Sequence, residues 1–68
     1  MSDLELALIM ESIGDAERFI IRANKAIIIH ERDVEGGHGI YLRYYTSAMK
    51  RASMDLTRSL ARLRRGRP

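Results

Sequence analysis

From Leu6 onward the apolar residues of this chain recur three and four positions apart: Leu6, Ile9, Ile13, Ala16, Ile20, Ala23 and Ile27, with His30 as the next step. A second run follows a glycine-rich break: Leu42, Tyr45, Met49, Ala52, Leu56, Ser59 and Leu63. Such spacing lines one face of a helix and holds it against a partner along its whole length, as in a coiled coil or an antiparallel helix pair. Ile27-Ile28-Ile29 alone has strand character, and three residues inside a long helical period do not outweigh that period. The pattern predicts two long helices and nothing else.

Boundaries follow from local chemistry. Ser2 and Glu5 form the Ser-x-x-Glu pattern that satisfies amides at a helix start, and Asp3 and Glu5 lie where the helix dipole favours negative charge. Helix one is expected over about 3–32, a turn over about 33–39, helix two over about 40–64, and a frayed basic tail over 65–68. Gly36, Gly37 and Gly39 supply the backbone freedom for a tight reversal, and a short connection sets neighbouring helices antiparallel. Gly14 costs helix one about 1 kcal/mol relative to alanine. The three-four spacing passes through Gly14 without slipping, which predicts one continuous helix; Ala7, one heptad earlier, could share a close helix crossing with it.

At 68 residues the chain makes a single domain, 1–68. A chain so short buries only about 60% of the surface its unfolded form exposes, and small domains recover the deficit with disulfides, a metal or oligomerisation. There is no cysteine and there are only two histidines, which leaves oligomerisation. The apolar surface is also wider than one stripe. Leu8, Phe19, Ile21, Ala26, Ile28 and Ile29 flank the first run, and Tyr41, Ala48 and Leu60 the second. The expected fold is therefore all-α, an antiparallel helical hairpin paired with a second copy into a homodimeric four-helix bundle. Its core would comprise Leu6, Ile9, Ile13, Phe19, Ile20, Ile27, Leu42, Tyr45, Met49, Leu56 and Leu63. Ile21, Ile28 and Ile29 fit either that core or a second binding surface.

Several chemistries find no footing. His30, Glu31, Asp33, Glu35 and His38 cluster at the turn, but a polar helix end and a solvated loop account for them, so no metal is expected. Ser47, Ser53 and Ser59 lie within a helix with neither a nucleophile elbow nor a positioned base. Gly36-Gly37-His38-Gly39 follows no strand and precedes no Lys-Ser/Thr, so it is no phosphate cradle. The expectation is a protein without catalytic activity or cofactor. The first residues lack the basic start of a signal peptide and no apolar stretch is long enough for a membrane span, so a cytoplasmic location is expected and no membrane partner.

The charge pattern carries the functional lead. The net charge of +3 divides unevenly: residues 1–34 hold four basic and seven acidic groups, residues 35–68 eight basic and two acidic. Arg43, Lys50, Arg51, Arg58 and Arg62 track one side of helix two, with Tyr44 and Met54 set among them. Arginine suits bidentate contact with carboxylate or phosphate, and tyrosine, methionine and arginine together are enriched in protein-binding surfaces. The seven residues form the expected partner site. The expected role is a small regulatory binding protein (an adaptor, inhibitor or anti-activator, a type common among phage and mobile-element proteins) that sits on an acidic surface of a larger protein. The alternative is a nucleic-acid-binding hairpin dimer, similar in architecture alone to Rop-type bundles, in which the same cations grip phosphates.

Overall fold

A computed structural model describes residues 1–36 and 39–67, and the side-chain surroundings of residues 1–32 and 43–67. The described chain consists of α1, Asp3–Gly36, and α2, Gly39–Arg65, packed against each other as a helical hairpin. Glu11 meets Arg62 and Lys25 meets Tyr45, which fixes the antiparallel sense and the register. At 1.5 Å per residue, the 34 residues of α1 reach about 51 Å. That is the long axis of a molecule whose Cα atoms extend over 51 × 14 × 11 Å.

Both helices overrun the expected boundaries. α1 continues past Arg32 to Gly36, because Asp33, Val34 and Glu35 include no helix breaker and a glycine weakens a helix without blocking it. α2 begins at Gly39 and reaches Arg65. Gly37 and His38, from the middle of the expected turn, lie outside the described residues. The start of α1 is capped as its sequence predicts: the Glu5 amide donates to Ser2 Oγ at 3.1 Å. The Glu5 carboxylate then accepts from the Ser2 hydroxyl at 3.2 Å instead of from the Ser2 amide. The far end of α2 is not frayed as expected. Gly66, at φ 72°, donates to the Leu63 carbonyl at 3.2 Å, and Arg67 donates to the Arg62 carbonyl at 3.3 Å. Those two bonds make a Schellman motif, which needs the left-handed backbone that glycine adopts without strain.

α1 runs unbroken through Gly14, and a methyl group added there would meet nothing within 4 Å. The close crossing expected at that glycine is therefore absent from the hairpin.

The helices meet along a face other than the one the spacing pointed to. On α1, Leu8, Ser12, Asp15 and Ala26 are buried, with Phe19, Arg22 and Ile29 half-buried among them. On α2, Ala52 and Ser59 are buried, with Tyr45, Ala48 and Asp55 half-buried. The register sets Phe19 level with Ala52 and Ser12 level with Ser59, so most of the seam is large against small or small against small. Ser12 donates to its own helix at the Leu8 carbonyl (3.0 Å), and Ser59 to the Leu56 carbonyl (3.1 Å), so both hydroxyls are satisfied without crossing the seam. Small side chains let helix axes approach more closely than a row of isoleucines would.

The stripe that was expected to face α2 therefore stays largely open. Leu6, Ile13, Ile20 and Ile27 are between 48% (Leu6) and 56% (Ile27) exposed. At 100° per residue their stripe is centred about 125° around α1 from the buried residues of the seam. Ile9, Ala16 and Ala23 lie between the two and are half-buried. On α2 the expected stripe is nearer the mark: Tyr45, Ala52 and Ser59 face α1, while Met49, Leu56 and Leu63 flank the seam half-buried. Leu42 lies outside the described side chains.

The hairpin thus has two unlike sides. Glu11, Ile21 and Lys25 of α1 meet Arg62, Tyr44, Tyr45 and Arg51 of α2 across one of them. The opposite flanks, Ile9, Ile13, Ala16 and Ile20 of α1 with Met49, Leu56 and Leu63 of α2, must then share the other. The first side is charged and the second is apolar.

Candidate functional site

Of the expected partner residues, Arg43, Tyr44, Lys50, Arg51, Met54 and Arg58 are exposed and Arg62 is half-buried. Tyr44 is 69% and Met54 61% exposed, so large apolar groups do stand in water beside the cations. The cations are not equivalent. Arg62 reaches across the seam to pair with Glu11, with only 28% of its side chain exposed. Arg58 pairs with Asp55 at 3.0 Å on the same helix, and on α1 Arg18 pairs with Asp15 at the same distance. Asp15, Asp55, Arg58 and Arg62 line a shallow cleft of about 210 Å³ in which the charges largely cancel. Partly exposed pairs contribute about 0–1 kcal/mol each, and only Arg62 with Glu11 crosses between the helices and so helps set their register. Arg58 and Arg62 thus have carboxylate partners within the hairpin, unlike the cations on the part of α2 nearer Gly39.

There the arrangement changes. Ile21, Arg22 and Lys25 of α1 come beside Tyr44, Tyr45, Ser47, Ala48 and Arg51 of α2 around a cleft of about 530 Å³. Among the described residues no carboxylate lines it. Among the described residues, no acidic group pairs with Arg22, Lys25, Arg43, Lys50 or Arg51. The Lys25 Nζ stands 5.6 Å from the Tyr45 ring centroid, within the range at which a ring face attracts a cation. Tyr44 meets Tyr45 edge to face, their centroids 5.1 Å apart and their planes at 87°. A shallower cleft of about 330 Å³ between Arg43, Thr46, Ser47 and Lys50 carries the positive surface around α2.

Sequence spacing missed half of this site. Arg22 and Lys25 belong to the acidic half of the chain, and only the antiparallel register brings them to Arg51. Ile21 lines the cleft, Ile29 is half-buried, and Ile28 is exposed, so the three isoleucines left open by the sequence divide between surfaces. Among the described residues no three or more His, Asp or Glu gather as a metal site would need. Asp33, Glu35 and His38 of the turn cluster lie outside the described side chains. No helix of the described residues is long and apolar enough to cross a membrane.

The architecture and the site define a helical hairpin with a cationic, tyrosine-lined cleft on one side and an open apolar face on the other. No protein-family model, no curated protein and no solved structure matches this chain.

Proposed function

We propose that this chain is a non-enzymatic regulatory binding protein, working as a homodimeric four-helix bundle, that captures an acidic segment of a larger protein. The observation that carries this reading is the cleft between α1 and α2, where Arg22, Lys25 and Arg51 surround two tyrosines with no carboxylate among the described lining residues. A carboxylate entering it would find bidentate guanidinium donors and an ammonium. Tyr44, Met54 and Ile21, all exposed, supply the apolar contacts that a protein segment uses beside its charges. Adaptor, inhibitor and anti-activator are the roles open to a binder of this size that carries no reaction chemistry.

Nucleic acid is the second reading, because Tyr44 and Tyr45 beside cations can also stack a base. One titration separates the two. A fluorescent polyglutamate peptide, a single-stranded RNA and a DNA duplex are each titrated with wild-type protein and with Arg51→Glu, at low and at physiological salt. The proposal expects the peptide to bind at physiological salt and Arg51→Glu to weaken it about tenfold or more, since a charge-assisted hydrogen bond contributes about 1.5–3 kcal/mol. RNA or DNA binding in preference to the peptide, with a steep salt slope, would replace it with the second reading. Peptide binding indifferent to Arg51→Glu would place the site elsewhere.

A further inference from the structure

Apart from Leu8, the buried seam between α1 and α2 is built from small and polar residues, while Leu6, Ile13, Ile20 and Ile27 stand outside it. Among the described residues Leu8, Ala26 and Ala52 are the only apolar side chains buried by the hairpin. A hairpin whose interior is mostly serine and alanine, and whose isoleucines repeat every seven residues in water, is one layer of a larger core. Resting on the homodimer reading above, we infer that the second copy docks on one particular surface: the side carrying Leu6, Ile13, Ile20 and Ile27 of α1 with Met49 and Leu56 of α2. Two hairpins pack there apolar side to apolar side, and the cationic clefts are left on the two outer faces, pointing away from each other.

Three observations select a second copy as the occupant. The apolar stripe of α1 centred on Ile13 and Ile20 meets charge only at its edge, at Glu17, so its middle offers an acidic or basic partner nothing to pair with. Its seven-residue repeat, flanked on α2 by the repeat of Met49, Leu56 and Leu63, is the pattern that inserts into another helical layer of equal repeat. The described chain itself carries such a layer. Finally, a side measuring 51 × 14 Å between Cα atoms offers on the order of 700 Å² per copy. A stable specific interface buries about 800 Å² per partner. The angle of about 125° between seam and stripe on α1 is too wide for one neighbour to cover both and leaves the stripe for a second. The consequence for function is bivalency: one dimer presents two acid-binding clefts on opposite faces and can bridge two acidic segments.

The test uses the full chain without any partner. Sedimentation equilibrium is expected to give a mass about twice the 7.8 kDa of one chain. Ile13→Glu with Ile20→Glu is expected to weaken dimerisation by about a hundredfold or more, whereas Met54→Glu on the charged side leaves it unchanged. Because the double variant can also lose helix content, a second measurement uses the intact apolar side: a spin label on Met54→Cys, the chain having no other cysteine. With helix layers 8–10 Å apart and the label on each outer face, the distance between labels should exceed about 20 Å. A monomer in sedimentation overturns the inference, as does a dimer with labels in contact. Neither result touches the acidic-segment reading, which stands or falls on peptide binding by Arg51.

Discussion

Ile20 is 54% exposed in the hairpin, and its truncation reads out how the open stripe is used. Full burial of an isoleucine is worth about 1.5–3 kcal/mol. With just under half of the side chain covered by the hairpin, Ile20→Ala should forfeit about 1 kcal/mol from a lone hairpin. Alanine returns a few tenths of a kcal/mol in helix propensity. The net cost to an isolated hairpin is thus about 0.5 kcal/mol, a fall in melting temperature of about 3 °C for a domain of this size. If Ile20 is enclosed between two copies, the cost rises to the 2–5 kcal/mol of a core truncation, or about 10 °C and more. Thermal unfolding followed by circular dichroism, at protein concentrations about a hundredfold apart, distinguishes the two, because a dimer's melting temperature rises with concentration. The expected outcome is a concentration-dependent wild-type transition and the larger shift for the variant. A wild-type transition that ignores concentration, together with a shift of about 3 °C at both, would refute the reasoning.

Gly14→Ala should stabilise the protein by about 1 kcal/mol, because α1 gains propensity and nothing lies within 4 Å of the new methyl; a loss on chemical denaturation would reveal an approach to Gly14 that the hairpin lacks. Ala52→Leu, at a position 1% exposed and level with Phe19, should wedge the helices apart and cost about 1–3 kcal/mol by the same assay, whereas Met54→Leu two positions on should be neutral. Arg62→Ala should lower stability by no more than about 1 kcal/mol, its pairing with Glu11 being partly exposed, and leave peptide affinity within about twofold. A large loss of binding with unchanged stability would return Arg62 to the partner site.

The helices, their continuity through Gly14 and the cap at Ser2 were all legible in the sequence, because each rests on residues within a few positions of one another. The face by which α1 meets α2 was not. α1 carries two seven-residue repeats, Leu6-Ile13-Ile20-Ile27 and Ser12-Phe19-Ala26, and hydropathy favours the first. The hairpin uses the second, where Ser12 lies level with Ser59 and Phe19 with Ala52, a preference of shape that apolar counting does not register. For the same reason the site was read as one helix. Arg43, Lys50 and Arg51 could be seen on α2, but Arg22 and Lys25 join them only once the register is known. Nor does spacing show that Asp55 pairs with Arg58 and Glu11 with Arg62, the second pair being 51 positions apart.

Both helix caps lie at the same end of the molecule, Ser2 with Glu5 on one strand of the hairpin and Gly66 with Arg67 on the other. Contacts there are the most expensive to close during folding. Joining Glu11 to Arg62 requires a loop of 51 residues, against 20 for Lys25 and Tyr45, and costs about 0.8 kcal/mol more in chain entropy. That difference favours closing the contacts nearest the glycines first and those at the capped end last. The end that peels first is the end where the last carbonyls and first amides are already tied off, so the caps act as a latch on the opening reaction. Amide exchange near residues 5 and 66 should be slower than the position of those residues at the margin of the chain suggests.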